Sequence, residues 1–291
     1  MAYLKKIFSS GLRCVASNKG LTLVELMVAM GLTTIVLGVI YASYTTQSRM
    51  NTKEAVVLNM QQNIRGALNL MESEIRMAGY DPKPARVFGI TDIRFKDING
   101  NPNVNGYSSI TFTADNGTNP NSGNGALDSD ETYTYRIYDY TSGSPAGILD
   151  LGRTIGGGGN QIAAEGIDAI GLAYAYDNDG DGKLDVSPNG NILWAIDTNN
   201  DNKLDTNLET VDDGVIDIND NIAGTAIGGS AITTDKIRAM KLWILARTKT
   251  PLLKYTDNNT YVVANRRITP NDSFKRELLE TTIKCRNLGF E

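Results

Sequence analysis

Histidine is absent from the 291-residue sequence. That removes the commonest general base near neutral pH and the commonest nitrogen ligand for metals, so histidine triads and histidine zinc sites are excluded. Cysteine is nearly as scarce, with Cys14 and Cys285 the whole supply. If the N-terminus is removed on maturation a single thiol remains, and no disulfide can then form within the chain. A lone cysteine with no imidazole to activate it is read as a small apolar core residue rather than a nucleophile. A positive excess is also missing: 28 Lys and Arg stand against 33 Asp and Glu, a net charge of −5. That gives no electrostatic reason to expect nucleic acid as a partner and favours cations instead. What is present is apolar material, 41% of residues, in a length that suits an anchoring segment plus one or two modest domains.

Charge is sparsest near the start. Residues 1–20 carry Lys5, Lys6, Arg13 and Lys19 with no acid, and over residues 21–42 the only charged side chain is Glu25. That apolar run is long enough to span a bilayer. The basic flank before it predicts a cytoplasmic N-terminus with the long C-terminal part outside. A cleaved secretory signal would want a shorter apolar core followed by a small-residue cleavage site, and Ser43-Tyr44-Thr45-Thr46 is a poor one. The carboxylate inside the run is the anomaly, because an acid at membrane depth is expensive and marks a function whose partner must be named.

Gly20-Leu21-Thr22-Leu23-Val24-Glu25 resembles the cleavage and methylation motif of type IV prepilins. The resemblance implies that residues 1–20 are a leader, that a prepilin peptidase cuts after Gly20 on the cytoplasmic side, and that the new amine of Leu21 is methylated while the apolar helix stays on the mature protein. It also suggests the partner of Glu25: the Leu21 ammonium of an adjacent subunit. Leu21 and Glu25 lie about one helical turn apart, so a staggered neighbour can bring amine and acid together, and pairing in low dielectric favours subunit addition. The competing reading has Glu25 snorkelling toward the cytoplasmic interface.

After the transmembrane and assembly segment, residues 21–46, the pattern over 47–80 becomes amphipathic. Val57, Met60, Ile64, Leu68, Met71 and Ile75 fall at steps of three and four and draw one stripe on a helix. Gly79 suits a left-handed C-terminal cap and Pro82 prevents continuation, so one helix is predicted from about Leu21 to Ala78, with Gly31, Gly38 and Gly66 as candidate bends. The steps do not hold a heptad, so the stripe is read as core against a sheet rather than a coiled-coil seam. Met60-Gln61-Gln62-Asn63-Ile64-Arg65-Gly66-Ala67-Leu68, with Glu74-Ile75-Arg76-Met77-Ala78-Gly79-Tyr80, resembles the same region of PilW-type minor pilins.

From residue 81 onward, short alternating runs of Tyr, Thr, Ile and Val are separated by Asn, Gly, Asp and Pro. Strands are expected near residues 87–95, 107–113, 132–138, 148–153, 167–176, 192–196, 236–247, 261–264 and 274–286, with loops over 99–105 and 116–130. Gly156 to Gly159 are read as a flexible connection, since no strand–loop–helix unit with a phosphate-binding Lys surrounds them. The predicted class is α+β: a long N-terminal helix, membrane-spanning in its first half, packed on an antiparallel sheet in a periplasmic globular domain over 81–291, as in type IV pilins. Residues 237–247 and 278–287 again resemble the final strands of PilW.

The region 177–229 is an acidic insertion. Asp177, Asp179, Asp181 and Asp185 occupy relative positions one, three, five and nine with Gly182 at six, the spacing of a calcium loop in which alternate oxygens face one centre. Position twelve is Pro188 rather than the bidentate Glu of an EF-hand, which points to a loop of dockerin or thrombospondin-repeat character. Asp197, Asn199, Asp201 and Asp205 repeat the spacing, with Asn202 in place of glycine. Between Asp177 and Asp220 stand twelve acids and two lysines, whose repulsion is expected to keep the segment open until calcium folds it. The plainer alternative is a solvated polar insertion whose Asn, Asp and Gly only make turns.

Taken as a PilW-like minor pilin, the chain is expected to be a non-enzymatic subunit that primes assembly of a type IV pilus or sits at its tip, with adhesion, twitching motility or DNA uptake downstream. Its implied partners are other minor and major pilins, the prepilin peptidase and the inner membrane, from which it passes to the extracellular pilus. The J-type minor pseudopilin of type II secretion and a calcium-dependent tip adhesin are the alternatives. A membrane-anchored hydrolase would lack the base that a serine or cysteine nucleophile requires.

Overall fold

The computed structural model describes residues 20–83, 87–104, 106–117, 123–139 and 149–289. The leader except Gly20, Cys14, Asn105, residues 118–122 and the start of the strand expected at 148 lie outside them. The chain divides into two units, residues 1–52 and residues 53–291.

One helix, Leu23–Ile75, crosses the boundary between the units. It starts two residues later and ends three earlier than predicted, and it runs without a break through Gly31, Gly38 and Gly66. Within the first unit its apolar side chains are exposed throughout, and the mean hydropathy of its most apolar window is 2.3. By length and composition this stretch can cross a membrane. The hydroxyls of Thr33 and Thr34 donate to the carbonyls of Ala29 and Met30 at 2.7 and 2.8 Å, so they leave no unpaired donor in an apolar surrounding.

In the second unit the helix buries Met60, Ile64, Ala67, Met71 and Ile75. Val57 and Leu68 of the predicted stripe are half-buried at its margins, and the small Ala67, outside that stripe, is fully buried. The final turn tightens through three-residue bonds, Met77 N–H to Glu74 and Ala78 N–H to Ile75. Gly79 then turns left-handed, at φ +75°, and donates to the Thr113 carbonyl at 2.9 Å.

Two antiparallel sheets meet this helix. The first is a meander of Ile90–Asp92, Ile110–Thr113, Thr132–Tyr138, Asp150–Ile155 and Gln161–Glu165. The second orders Thr225–Ala226, Thr206–Asn207, Ala195–Ile196, Ile167–Tyr176, Ile237–Arg247 and Arg276–Lys284. Helix side chains share one apolar cluster with Phe112, Tyr135 and Leu151 of the first sheet and Ile170, Leu172, Met240 and Ile244 of the second. Each large side chain fully buried there contributes roughly 1.5–3 kcal/mol.

The two longest strands of the second sheet, Ile167–Tyr176 and Ile237–Arg247, are buried on both faces. Odd-numbered Ala169, Ala173, Ala175, Trp243 and Leu245 point away from the helix cluster into another, with Trp194, Ile196, Leu208, Ile216 and Val263. Gly171 lies on this face, where an added Cβ would come within 2.9 Å of Val263 Cγ1 and 3.0 Å of the Ala264 backbone nitrogen. The acidic segment therefore extends the sheet by three short strands and supplies apolar side chains that cover its second face. Among the described residues six strands lie outside the expected runs: Gln161–Glu165, an edge strand without alternation, and the two- or three-residue strands Lys203–Leu204, Thr206–Asn207, Thr225–Ala226, Ile232–Thr233 and Arg266–Ile268, too short to carry a period. The run expected over 87–95 is broken into Ile90–Asp92 and Phe95–Lys96.

Candidate functional site

At the head of the helix, Glu25 and Thr22 form a reciprocal pair. The Thr22 N–H and hydroxyl both donate to Glu25 Oε2 at 2.9 Å, and the Glu25 N–H donates to Thr22 Oγ1 at 3.2 Å. This is a capping box, in which a threonine and a glutamate three residues on satisfy orphan donors of the first turn. The signal was in the sequence as Thr-x-x-Glu ahead of an apolar run, and the prepilin reading overlooked it. Gly20 and Leu21 precede the helix and are exposed.

The two acidic loops match bond for bond. In the first, Asp185 N–H returns to the Tyr176 carbonyl at 2.9 Å. Asp177, at position one, accepts the N–H groups of positions four and six, Gly180 at 2.7 Å and Gly182 at 3.1 Å. Asp179 accepts from Asp181 at 3.2 Å, Asp181 from Lys183 at 2.8 Å, and Asp185 from Asn178 at 3.3 Å. In the second, Asp205 N–H returns to Ile196 at 3.0 Å. Asp197 accepts from Asn200 and Asn202, each at 2.7 Å. Asn199 accepts from Asp201, Asp201 from Lys203, and Asp205 from Thr198, at 2.8, 3.0 and 3.2 Å. Positions four and six are left-handed in both, as Gly180 and Gly182 in one and as Asn200 and Asn202 in the other.

The loops differ in what their acids have left to give. Asp177, Asp179 and Asp185 each bring a carboxylate oxygen within 4.8 Å of the others, a hard-oxygen trio of the kind that holds calcium. Asp181 stands outside it, exposed and 4.0 Å from Lys183 Nζ. Among the described residues no such trio forms on Asp197, Asp201 and Asp205. The Thr198 and Thr206 hydroxyls both donate to Asp205 Oδ1 at 2.7 Å, so this acid is already satisfied. Burial raises Asp185 above the ordinary carboxylate range, and its neighbours Asp179, Asp177 and Asp181 push the same way. At Asp177 burial is outweighed by the N–H groups of Gly180 and Gly182, which hold it below that range.

The asparagines of the second loop do more than tolerate a turn. Asn202 Oδ1 accepts the Ile93 N–H at 3.0 Å and Asn200 Oδ1 accepts the Phe95 N–H at 2.8 Å, while Asn202 Nδ2 donates to the Thr91 carbonyl at 2.8 Å. They pin the loop to the chain between the first sheet's edge strand and Phe95. Asp212, with Ser187 and Asn191 on its carboxylate, ties the segment to the turn after the first loop. Cys285 is buried among apolar residues, and burial pushes its thiol up to about 12.

Comparison with known proteins adds a local match and a distant one. No curated protein shows significant sequence similarity to the chain. A solved type IV-like pilin from Thermus thermophilus is similar at 15% identity over 79% of this chain and 98% of that one, with a TM-score of 0.41. Residues 16–41, which include Gly20, Leu21 and Glu25, match the family model described as the prokaryotic N-terminal methylation motif.

Proposed function

We propose that this chain is a structural subunit of the type IV pilin kind, a minor pilin similar to PilW that primes filament assembly or occupies the tip. The observation that carries the reading is the methylation motif over residues 16–41, set at the head of an exposed apolar helix of membrane-crossing length. A prepilin peptidase cuts after Gly20 and methylates the Leu21 amine. The helix is held in the inner membrane with the globular unit outside until other pilins collect it. Glu25 then has two uses: within its own chain it closes the capping box, and in a filament it meets the Leu21 ammonium of a neighbour. The role is non-enzymatic, in keeping with a sequence that has no histidine and a remaining thiol that is buried. Mass spectrometry of the protein from sheared filaments tests the reading. A methylated N-terminus at Leu21 is the expected result, and a mature N-terminus beyond Ala42 would overturn it.

The first acidic loop is a calcium site, built on Asp177, Asp179 and Asp185. Three like charges converging within 4.8 Å repel one another, and a hard divalent cation turns that repulsion into coordination. The second loop binds more weakly, because Asp205 is committed to two threonine hydroxyls. Bound calcium would fasten the segment whose Trp194, Leu208 and Ile216 cover the second sheet. Calorimetric titration of the full chain in detergent tests this, and an absence of heat and of thermal stabilisation at millimolar calcium would remove it.

A further inference from the structure

The segment after the second loop repeats the same frame a third time. With Glu209 as position one, Asp213 stands at five, Gly214 at six, Asp217 at nine and Asp220 at twelve, where the first two loops have Pro188 and Leu208. The fold keeps part of that frame: Val211 stands at three, where the first two loops have Asp179 and Asn199, and the position-one acid takes the N–H groups of five and six rather than four and six. Gly214 is left-handed at φ +87°, Glu209 Oε1 accepts the N–H groups of Asp213 at 2.5 Å and Gly214 at 3.2 Å, and Asp213 accepts from Val215 at 3.0 Å. The closing acid moves from nine to twelve, since the position-two N–H, that of Thr210, is given to Asp220 at 2.6 Å.

One oxygen is left over. Glu209 is only 3% exposed, and its Oε2 is buried without a hydrogen-bond partner. Because Oε1 of the same carboxylate is fastened to the N–H groups of Asp213 and Gly214, Oε2 is held beside that turn. No ion pair reaches Glu209 among the described residues. A buried carboxylate oxygen with neither donor nor countercharge is expensive, whereas a hard divalent cation makes it a ligand. We propose that the loop over residues 209–220 is a further divalent-cation site of calcium type, anchored by Glu209 Oε2, with the exposed Asp213 supplying a second charge from the same turn. It shares no residue with the first loop and stands whether or not that loop binds metal.

The test is a count of bound ions. The detergent-solubilised full chain is equilibrated with calcium, freed of unbound metal and measured by elemental analysis, beside Glu209→Gln, Asp213→Asn and Asp179→Asn. Glu209→Gln is expected to carry one ion fewer per chain than the parent, and Asp213→Asn to hold the same ion about tenfold or more weakly. Asp179→Asn reports separately on the first loop. If Glu209→Gln and Asp213→Asn both keep the parent's full complement, the proposal is overturned, even where Asp179→Asn loses an ion. Should circular dichroism show Glu209→Gln unfolded, Asp213→Asn decides alone, since its side chain is exposed and its removal leaves no hole.

Discussion

At the scale of single residues, the capping box of Glu25 and the filament contact proposed for it are separable. Glutamine can close a capping box as glutamate does, but it carries no charge to offer a neighbour's amine. Glu25→Gln is therefore expected to leave the helix intact by circular dichroism in detergent while its recovery in the sheared filament fraction falls as far as that of Glu25→Ala. Full recovery of Glu25→Gln would confine the residue to capping. Asp272 offers a test in pH. The Arg276 guanidinium, 2.7 Å away, holds its carboxyl below the usual range. A folded-state value below the unfolded one gives stability that is present above the ordinary carboxylate value near 4 and is lost as pH falls through the folded value. Urea midpoints measured across acid pH should fall for the parent and fall less for Asp272→Asn. Some residues were legible from sequence and others were not. Glycine at position six announced the first loop, whereas the part played by Asn200 and Asn202 depended on where residues 91–95 would pass, which no local pattern encodes.

At the scale of elements, the helix and first sheet are joined by Glu74, whose carboxylate receives Tyr135 Oη at 2.5 Å and Arg153 Nε at 2.9 Å. Glu74→Ala leaves a half-buried guanidinium and a buried phenol without their acceptor, and hydrogen bonds to charged groups carry about 1.5–3 kcal/mol. A loss of about 2 kcal/mol in urea unfolding is expected, with an unchanged slope. Gly171→Ala should be of similar size, about 1–3 kcal/mol, because the hairpin bearing Val263 and Ala264 lies against it. The helix stripe and the long strands were readable because one period governed each over many residues. Gln161–Glu165 and Arg266–Ile268 were hidden because edge strands need neither alternation nor apolar content, and their pairing is decided by the neighbour across the ladder.

For the molecule as a whole, the acidic stretch is the point at which sequence reasoning was least complete. Its charges were visible; its role as the cover of a sheet was not, because Trp194, Leu208 and Ile216 are scattered apolar residues that only the second face of Ile167–Tyr176 and Ile237–Arg247 brings together. Excising residues 177–220 would expose that face, so lost piliation in such a deletion would report unfolding rather than a missing contact. Single substitutions are the sharper probe. Calcium at a hundred times its dissociation constant stabilises a folded chain by about 2.7 kcal/mol per site, so a chelator should lower the melting temperature of Asp179→Asn less than that of the parent, the remaining fall belonging to the other loops. Cys285 gives such measurements a built-in reporter. With the proposed cut after Gly20 it would be the mature chain's single sulfhydryl; it is buried just past the final strand, with its amide bonded to the Arg238 carbonyl at 3.0 Å. A maleimide dye should therefore stay colourless in the native protein and report, molecule by molecule, each opening of that seam.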